Sequence, residues 1–190
     1  MNDQELIEGL KNNHQGAFRK LVDKYQQQVV STCYYFLRNQ DDAQDVGQEV
    51  FIEVYQSIHK FRQESSLSTW LYRIASNKSL NLIRKNKYKS LFVNIENLFK
   101  EKTSDVQLRS EEFSHAREQE QEYDERVKKL NWAINLLPIN QKTAITLHKY
   151  SNLSYKEIAD VMEISLSAVE SLIHRAKVNL QNTLINNLNP

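Results

Sequence analysis

A single cysteine, Cys33, in 190 residues excludes any disulfide within the chain. It sits in the apolar run Cys33-Tyr34-Tyr35-Phe36-Leu37, where a small buried hydrophobe is its expected role. Glycine and proline are scarce, with three of one and two of the other. That scarcity, beside abundant Leu, Gln, Lys and Asn, predicts helices nearly throughout. No alternating run of Val, Ile and Thr bounded by turn residues occurs, so no sheet is expected. No stretch approaches the roughly 18 apolar residues of a membrane span, and Met-Asn-Asp-Gln-Glu does not open a signal peptide. A soluble, cytoplasmic protein without membrane insertion is therefore expected. Equipment for catalysis is also lacking. Gly9, Gly16 and Gly47 form no phosphate loop, and His14, His59, His115, His148 and His174 have no ligand spacing. No catalytic residue, metal or cofactor is expected. Net charge is only +1, so the total says nothing of a nucleic-acid partner, and the distribution has to be read instead.

What is present is organised around a stretch near the C-terminus. Ser154 and Glu157 stand at capping-box spacing, so hydroxyl and carboxylate can satisfy the free N–H groups of a helix start. Ile158, Ala159 and Met162 give the short helix that follows an apolar edge. After a break at Glu163-Ile164-Ser165, Ser165 or Ser167 can cap a longer helix. Its apolar positions are Val169, Leu172, Ile173, Ala176, Leu180 and Leu184. A short capped helix, a tight turn and a longer amphipathic helix make a helix-turn-helix. Ser167, Glu170, Ser171, His174 and Arg175 then point where a major groove would lie. An ordinary helical hairpin has the same apolar pattern. Small Ala159 at the crossing, and His174, Arg175 and Lys177 against only Glu170, favour DNA.

Taken in order, the chain predicts helices over 3–13 (Leu6, Ile7, Leu10) and 15–38, with Gly16 serving the turn between them. In the next helix Ala43, Val46, Gly47, Val50, Phe51, Val54, Tyr55 and Ile58 follow a helical stripe. Its other face carries Asp41, Asp42, Asp45, Gln48, Glu49 and Glu53, with no Lys or Arg between Asn39 and His59. Like charges at i, i+4 such as Asp45 and Glu49 cost helix stability, which suggests a basic partner. The sign then inverts. Lys60, Arg62, Arg73, Lys78, Arg84, Lys85, Lys87 and Lys89 are interrupted only by Glu64, and Phe61, Trp70, Tyr72, Ser65, Ser66, Ser68 and Thr69 lie among them. Aromatic faces, cations and hydroxyls are what single-stranded DNA needs. For Trp70 alone, a core role is the simpler reading. An apolar group (Leu91, Phe92, Val93, Ile95, Leu98, Phe99) follows. The polar, acidic stretch 101–125 then buries little and reads as a flexible tether ending in a helix. The expected fold class is all-α: two small helical domains, at 1–98 and 127–190, joined by a flexible linker over 99–126. Pro138 marks a turn in the second.

Together these pieces resemble a sigma factor of bacterial RNA polymerase, of the short extracytoplasmic-function (ECF) type. DAQDVGQEVF (42–51) is similar to the family's polymerase-binding helix in region two. The resemblance implies docking on core RNA polymerase, at the coiled coil of its largest subunit, through Asp42, Asp45, Gln48, Glu49 and Glu53, with the polymerase flap as a second contact. STWLYRIASNKSLNLIRK (68–85) resembles the promoter-melting helix. It implies contacts to single-stranded downstream DNA from Arg62, Ser68, Thr69, Trp70, Arg73, Asn77, Lys78, Asn81, Arg84 and Lys85. Residues 135–180 resemble region four. They imply that double-stranded upstream DNA meets Tyr155, Lys156, Ser167, Ala168, Glu170, Ser171, His174, Arg175 and Lys177.

Some positions depart from the family pattern. Asn81 replaces a common Asp, and Thr143 replaces an Arg frequent after the Leu-Pro of region four. Ala168, Glu170 and Leu172 replace common Thr, Lys and Arg, which removes cations from the recognition helix. Family members are commonly held by an anti-sigma factor. The N-terminal region by which larger sigma factors autoinhibit has no room here. Two rival readings are a stand-alone helix-turn-helix regulator, which leaves the acidic helix unexplained, and an enzyme with a metal at Asp41, Asp42, Asp45 and Glu49.

Overall fold

The computed structural model describes residues 2–98 and 118–186. Among them are eight α-helices, one short 3-10 turn and no strand. The first half comprises α1 (Asp3–Lys11), α2 (Gln15–Leu37), α3 (Gln40–Ser57), the 3-10 turn Ile58–Lys60 and α4 (Leu67–Leu98). The second comprises α5 (Glu118–Leu136), α6 (Ile139–Tyr150), α7 (Tyr155–Met162) and α8 (Leu166–Asn186). The all-α expectation holds. The apolar group from Leu91 falls on the end of α4 and on Phe99, beyond the described side chains. Most of the expected tether also lies outside the described residues, and α5 begins within its last part.

Side-chain caps set the helix starts. Asn2 accepts from the Glu5 N–H at 2.8 Å while Glu5 accepts from the Asn2 N–H at 3.0 Å, a full capping box. Asn39 accepts from the Asp42 N–H at 3.0 Å, and Asp41 and Asp42 stand in the first turn of α3, where the helix dipole favours anions. The turn between α1 and α2 differs from expectation. Gly16 lies inside α2, and Asn13 takes the left-handed conformation, at φ 55°. Asn tolerates that region because its short side chain can bond locally.

The first core joins α1 to α4. Leu6, Leu10, Leu21, Val29, Val50, Ile58, Leu67 and Leu71 are almost wholly buried there, each contributing about 1.5–3 kcal/mol of transfer free energy. Gly47 sets the approach of α3 to α2. A Cβ on it would lie 2.8 Å from Val30 Cγ2. The predicted stripe of α3 is buried except Tyr55, which is 45% exposed and meets Phe18 edge-on at 5.3 Å.

The second core is built by α6, α7 and α8 around Leu147, Ile158, Val169, Ile173 and Ala176. It also takes in Phe36 from the end of α2 and Tyr72 from α4. The halves therefore share apolar packing, with α6 against α2 and α7 against α4.

Candidate polymerase and nucleic-acid interfaces

The acidic side of α3 faces outward. Asp41, Asp45, Gln48, Glu49 and Glu53 are exposed and Asp42 is half-buried. The base expected from outside is partly supplied from within. Lys78 Nζ on α4 lies 3.0 Å from Glu53 and 3.4 Å from Glu49. Burial alone would favour a neutral Lys78, but these two carboxylates outweigh it and raise its pKa. Lys78 thus turns toward α3. Asp45 and Gln48 make no such contact within the described residues. Beside them Ile52 is 54% exposed, and a groove of about 850 Å³ runs between α2 and α3, lined by Phe18, Val22, Gln44, Gln48, Phe51 and Ile52. Exposed Ile52 and Tyr55 escape a reading based on charge. Their signal is apolar residues at the edges of the stripe.

The loop before α4 and the start of that helix form a second concavity, of about 130 Å³. Lys60, Phe61, Arg62, Glu64, Ser65, Trp70 and Arg73 line it. Phe61 stacks on Trp70, with ring centroids 4.8 Å apart and planes at 23°. Trp70 also packs on the first core, so its core role and its place in the pocket wall coexist. Ser66 caps α4. Its hydroxyl accepts from the Thr69 N–H at 3.1 Å and lies 2.7 Å from Thr69 Oγ1 and 2.9 Å from Ser68 Oγ. Thr69 is consequently buried and bonded inward. Farther along α4, Asn77, Asn81, Arg84 and Lys85 are exposed, and Arg84 Nη1 donates to Asn81 Oδ1 at 3.2 Å. Arg73, in the same row, makes an ion pair with Glu163 of the second half. Phe61, Glu64 and Ser65 belong to the loop 61–69, which the sequence suggests as part of a pocket with the start of the following helix, and Lys60 extends that wall by one residue.

In the second half the expected caps form. Ser154 Oγ accepts from the Glu157 N–H at 3.3 Å, and Glu157 accepts from the Ser154 N–H at 2.8 Å. Ser165, rather than Ser167, caps α8, accepting from the Ala168 N–H at 3.2 Å. Outward on α8 stand Ser167, Glu170, Ser171, His174, Arg175 and Lys177, all exposed, with Ala168 half-buried. Arg175 Nε donates to its own helix, at Ser171 O and 3.2 Å. It leaves the Glu170 carboxylate unpaired among the described residues. Lys156 is exposed, while Tyr155 turns toward the core and meets His148 edge-on at 5.0 Å. Thr143 is buried, bonding Ile139 O at 2.8 Å. No three His, Cys, Asp or Glu among the described residues converge to hold a metal.

An acid-faced helix, a basic aromatic pocket and a helix-turn-helix follow one another along the chain. The profile described as Sigma-70 region 2 matches residues 21–88, and that described as Sigma-70, region 4 matches residues 129–180. The chain is 33% identical to the RNA polymerase sigma-H factor of Pseudomonas aeruginosa, over 96% of this chain and 93% of that protein. The chain belongs to the sigma-70 family.

Within that family it is an ECF sigma factor. It is 32% identical to the ECF RNA polymerase sigma-E factor of Haemophilus influenzae, over 97% of this chain and 96% of that one. The ECF RNA polymerase sigma factor SigW of Bacillus subtilis is 30% identical, with 95% and 96% covered. The fold is similar to that of CnrH in complex with the cytosolic domain of CnrY, with TM-score 0.69, 21% identity and 97% of both chains covered. It is also similar to the sigma factor RpoE in complex with the anti-sigma factor NepR from Bartonella quintana, with TM-score 0.60, 20% identity, and 88% and 96% covered. As a sigma factor it is a promoter-specificity subunit, a regulatory partner of core RNA polymerase and of promoter DNA. No helix among the described residues is long and apolar enough to cross a membrane.

Proposed function

We propose that this sigma factor divides its work among three surfaces. The α3 face, with Asp45, Gln48, Glu49 and the neighbouring Ile52, docks on a basic element of core polymerase. The exposed carboxylates beside a groove that mixes Phe18, Phe51 and Ile52 with glutamines support this, because such a face offers both charge and area to a helical partner. The pocket at Phe61, Trp70 and Arg62 holds an unpaired base of the non-template strand, and Asn77, Asn81, Arg84 and Lys85 continue the track along α4. Extruding a base costs a few kcal/mol, and a stacking pocket beside cations offsets that. The exposed row on α8 reads duplex DNA upstream in the major groove. The domain limits proposed with this division are 1–98 and 127–190, with 99–126 between them. Catalysis belongs to the polymerase and this chain supplies none. It works where the polymerase does, in the cytoplasm. An anti-sigma factor is proposed as a further partner, since the similar RpoE structure holds that sigma factor with the anti-sigma factor NepR.

The observation that carries the reading is the segregation of surfaces: acids on α3, bases with aromatics on α4, and a capped helix-turn-helix beyond. The docking assignment is tested by Asp45→Arg together with Glu49→Arg. Gel filtration with core polymerase should show loss of the holoenzyme peak, while binding of the variant to upstream duplex DNA persists. A double variant that forms holoenzyme with near-normal affinity refutes the docking face.

A further inference from the structure

At the end of α2 two cations lie together without an acid. Arg38, from the first half, closes that helix at φ 56° and ψ 25°, as Glu163 closes α7 at φ 54° and ψ 44°. Such left-handed caps are usually Gly or Asn, because a Cβ crowds the backbone there. Lys142, from α6 of the second half, is only 8% exposed. Its ammonium donates to Asn135 Oδ1 at 2.8 Å and to Phe36 O at 3.3 Å, two neutral acceptors. An ammonium has three N–H bonds, so one is left over. The Arg38 guanidinium is worse served. Its Nε and Nη2 are buried and have no hydrogen-bond partner. The rings of Tyr35 and Tyr150, stacked 3.9 Å apart, have centroids 5.4 and 5.5 Å from it. Those rings attract the charge but do not neutralise it. Among the described residues no carboxylate pairs with either cation.

Burial and the Arg38 charge both work against the Lys142 proton and push its pKa down. Buried like charges are costly unless a counter-ion joins them. The unpartnered nitrogens show which ion fits. Nε and Nη2 form one edge of the guanidinium plane, and their N–H bonds run parallel, so the edge matches two oxygens of a single anion. The spare N–H of Lys142 adds a third donor, which suits a tetrahedral ion better than a flat carboxylate. We propose that this junction is an oxyanion site, where Arg38 and Lys142 together hold a tetrahedral ion of the phosphate class. Arg38 as a residue is half-buried, so a change of its rotamer carries the unpartnered edge to an ion at the rim of the junction. The bound ion turns a repulsion between the two halves into a bridge. Neither cation belongs to the polymerase or DNA surfaces described above, and the assignments of those surfaces do not depend on this site.

The test is equilibrium dialysis of the full chain against labelled inorganic phosphate, with chloride holding the ionic strength constant. Wild type should take up a phosphate that Arg38→Gly and Lys142→Gln each bind at least about ten-fold more weakly, as loss of a charged hydrogen-bond donor implies. Glycine suits the left-handed cap, so loss of the ion in Arg38→Gly does not come from a damaged α2. Arg38→Lys keeps the charge but not the parallel edge, and should also bind more weakly than wild type. A thermal melt gives a second reading. Phosphate at about one hundred times its dissociation constant should raise the wild-type Tm by roughly 5–10 °C and leave that of Arg38→Gly unchanged. The basic rows on α4 and α8 also attract phosphate, so Arg84→Gln and Arg175→Gln are the controls and should keep the ion. The proposal is overturned if no saturable uptake occurs, or if either Arg38→Gly or Lys142→Gln takes up phosphate as wild type does. Loss of the ion in Arg84→Gln or Arg175→Gln also overturns it, since the phosphate would then sit on a DNA-binding face.

Discussion

Glu163→Gly sets backbone strain against a domain contact. A non-glycine residue in the left-handed region costs roughly 1–2 kcal/mol. Glycine removes that cost and gives back about 0.5–1 kcal/mol through the extra freedom of its unfolded chain. The net backbone gain lies between zero and about 1.5 kcal/mol. Against it stands the loss of the Glu163–Arg73 ion pair, whose side chains are 69% and 34% exposed. A pair so open to solvent contributes about 0–1 kcal/mol, and toward the low end at physiological salt. Global stability should therefore hold or rise slightly, by at most a few degrees in Tm at about 2–4 °C per kcal/mol for a chain of this size. Domain closure should weaken. The assay pairs a thermal melt with energy transfer between dyes on the two halves, recorded at low and high salt. The wild type should lose transfer as salt rises, and the glycine variant should start lower and respond less. A fall in Tm of more than about 4 °C, with transfer unchanged, would refute the reasoning, because it would mean that Glu163 supports α7 rather than the contact with Arg73.

Glu170→Gln tests upstream reading. The exposed carboxylate can accept a hydrogen bond from cytosine N4, so its loss should reduce discrimination at one base pair by about 1–3 kcal/mol in a binding-site selection. Uniformly tighter binding to all sequences would instead mean that Glu170 only repels phosphate. A pH prediction follows from Asp3, whose carboxylate accepts from Lys24 at 2.6 Å and from Tyr25 at 2.8 Å. Burial opposes its ionisation, yet the hydrogen bonds from Lys24 and Tyr25 and the Lys24 charge outweigh that and hold its pKa below 3.8. A depressed carboxylate contributes stability that is present above the unfolded pKa and lost as pH falls through the folded one. Urea melts from about pH 5 downward should show a loss in wild type that Asp3→Asn shows to a smaller extent, and equal slopes would contradict this.

The helices and the three surfaces were legible because they rest on local rules. The Ser154–Glu157 capping box, the α3 stripe and the outward row on α8 each involve residues within a few turns of one another. Part of what escaped the sequence involves partners far apart, and part, at Thr69 and Asn13, is local geometry. Phe36 lies in an apolar run that reads as first-domain core, yet it is buried with Leu147 and Ile173. Lys78 reads as part of a basic track, but the fold brings it to Glu49 and Glu53, so the acidic face is less starved of bases than the sequence suggests. Thr69 reads as an available hydroxyl, and the cap geometry of Ser66 turns it inward. Gly16 seemed the natural turn, but an Asn can take the left-handed position and Asn13 does. Arg38 and Glu163 carry no sequence signal, because nothing local shows that their backbones are left-handed or that their side chains cross to the other half.

The central claim is that α4 and its pocket hold unpaired DNA, and the most direct measurement compares templates. Holoenzyme reconstituted with Asn77→Ala and Asn81→Ala should open a double-stranded promoter more slowly than wild type, while closed-complex binding and activity on a pre-melted template fall much less. Permanganate reactivity of unpaired thymines reports opening in each case. An equal loss on double-stranded and pre-melted templates would contradict the account, since it would leave the α4 face as a phosphate contact and nothing more.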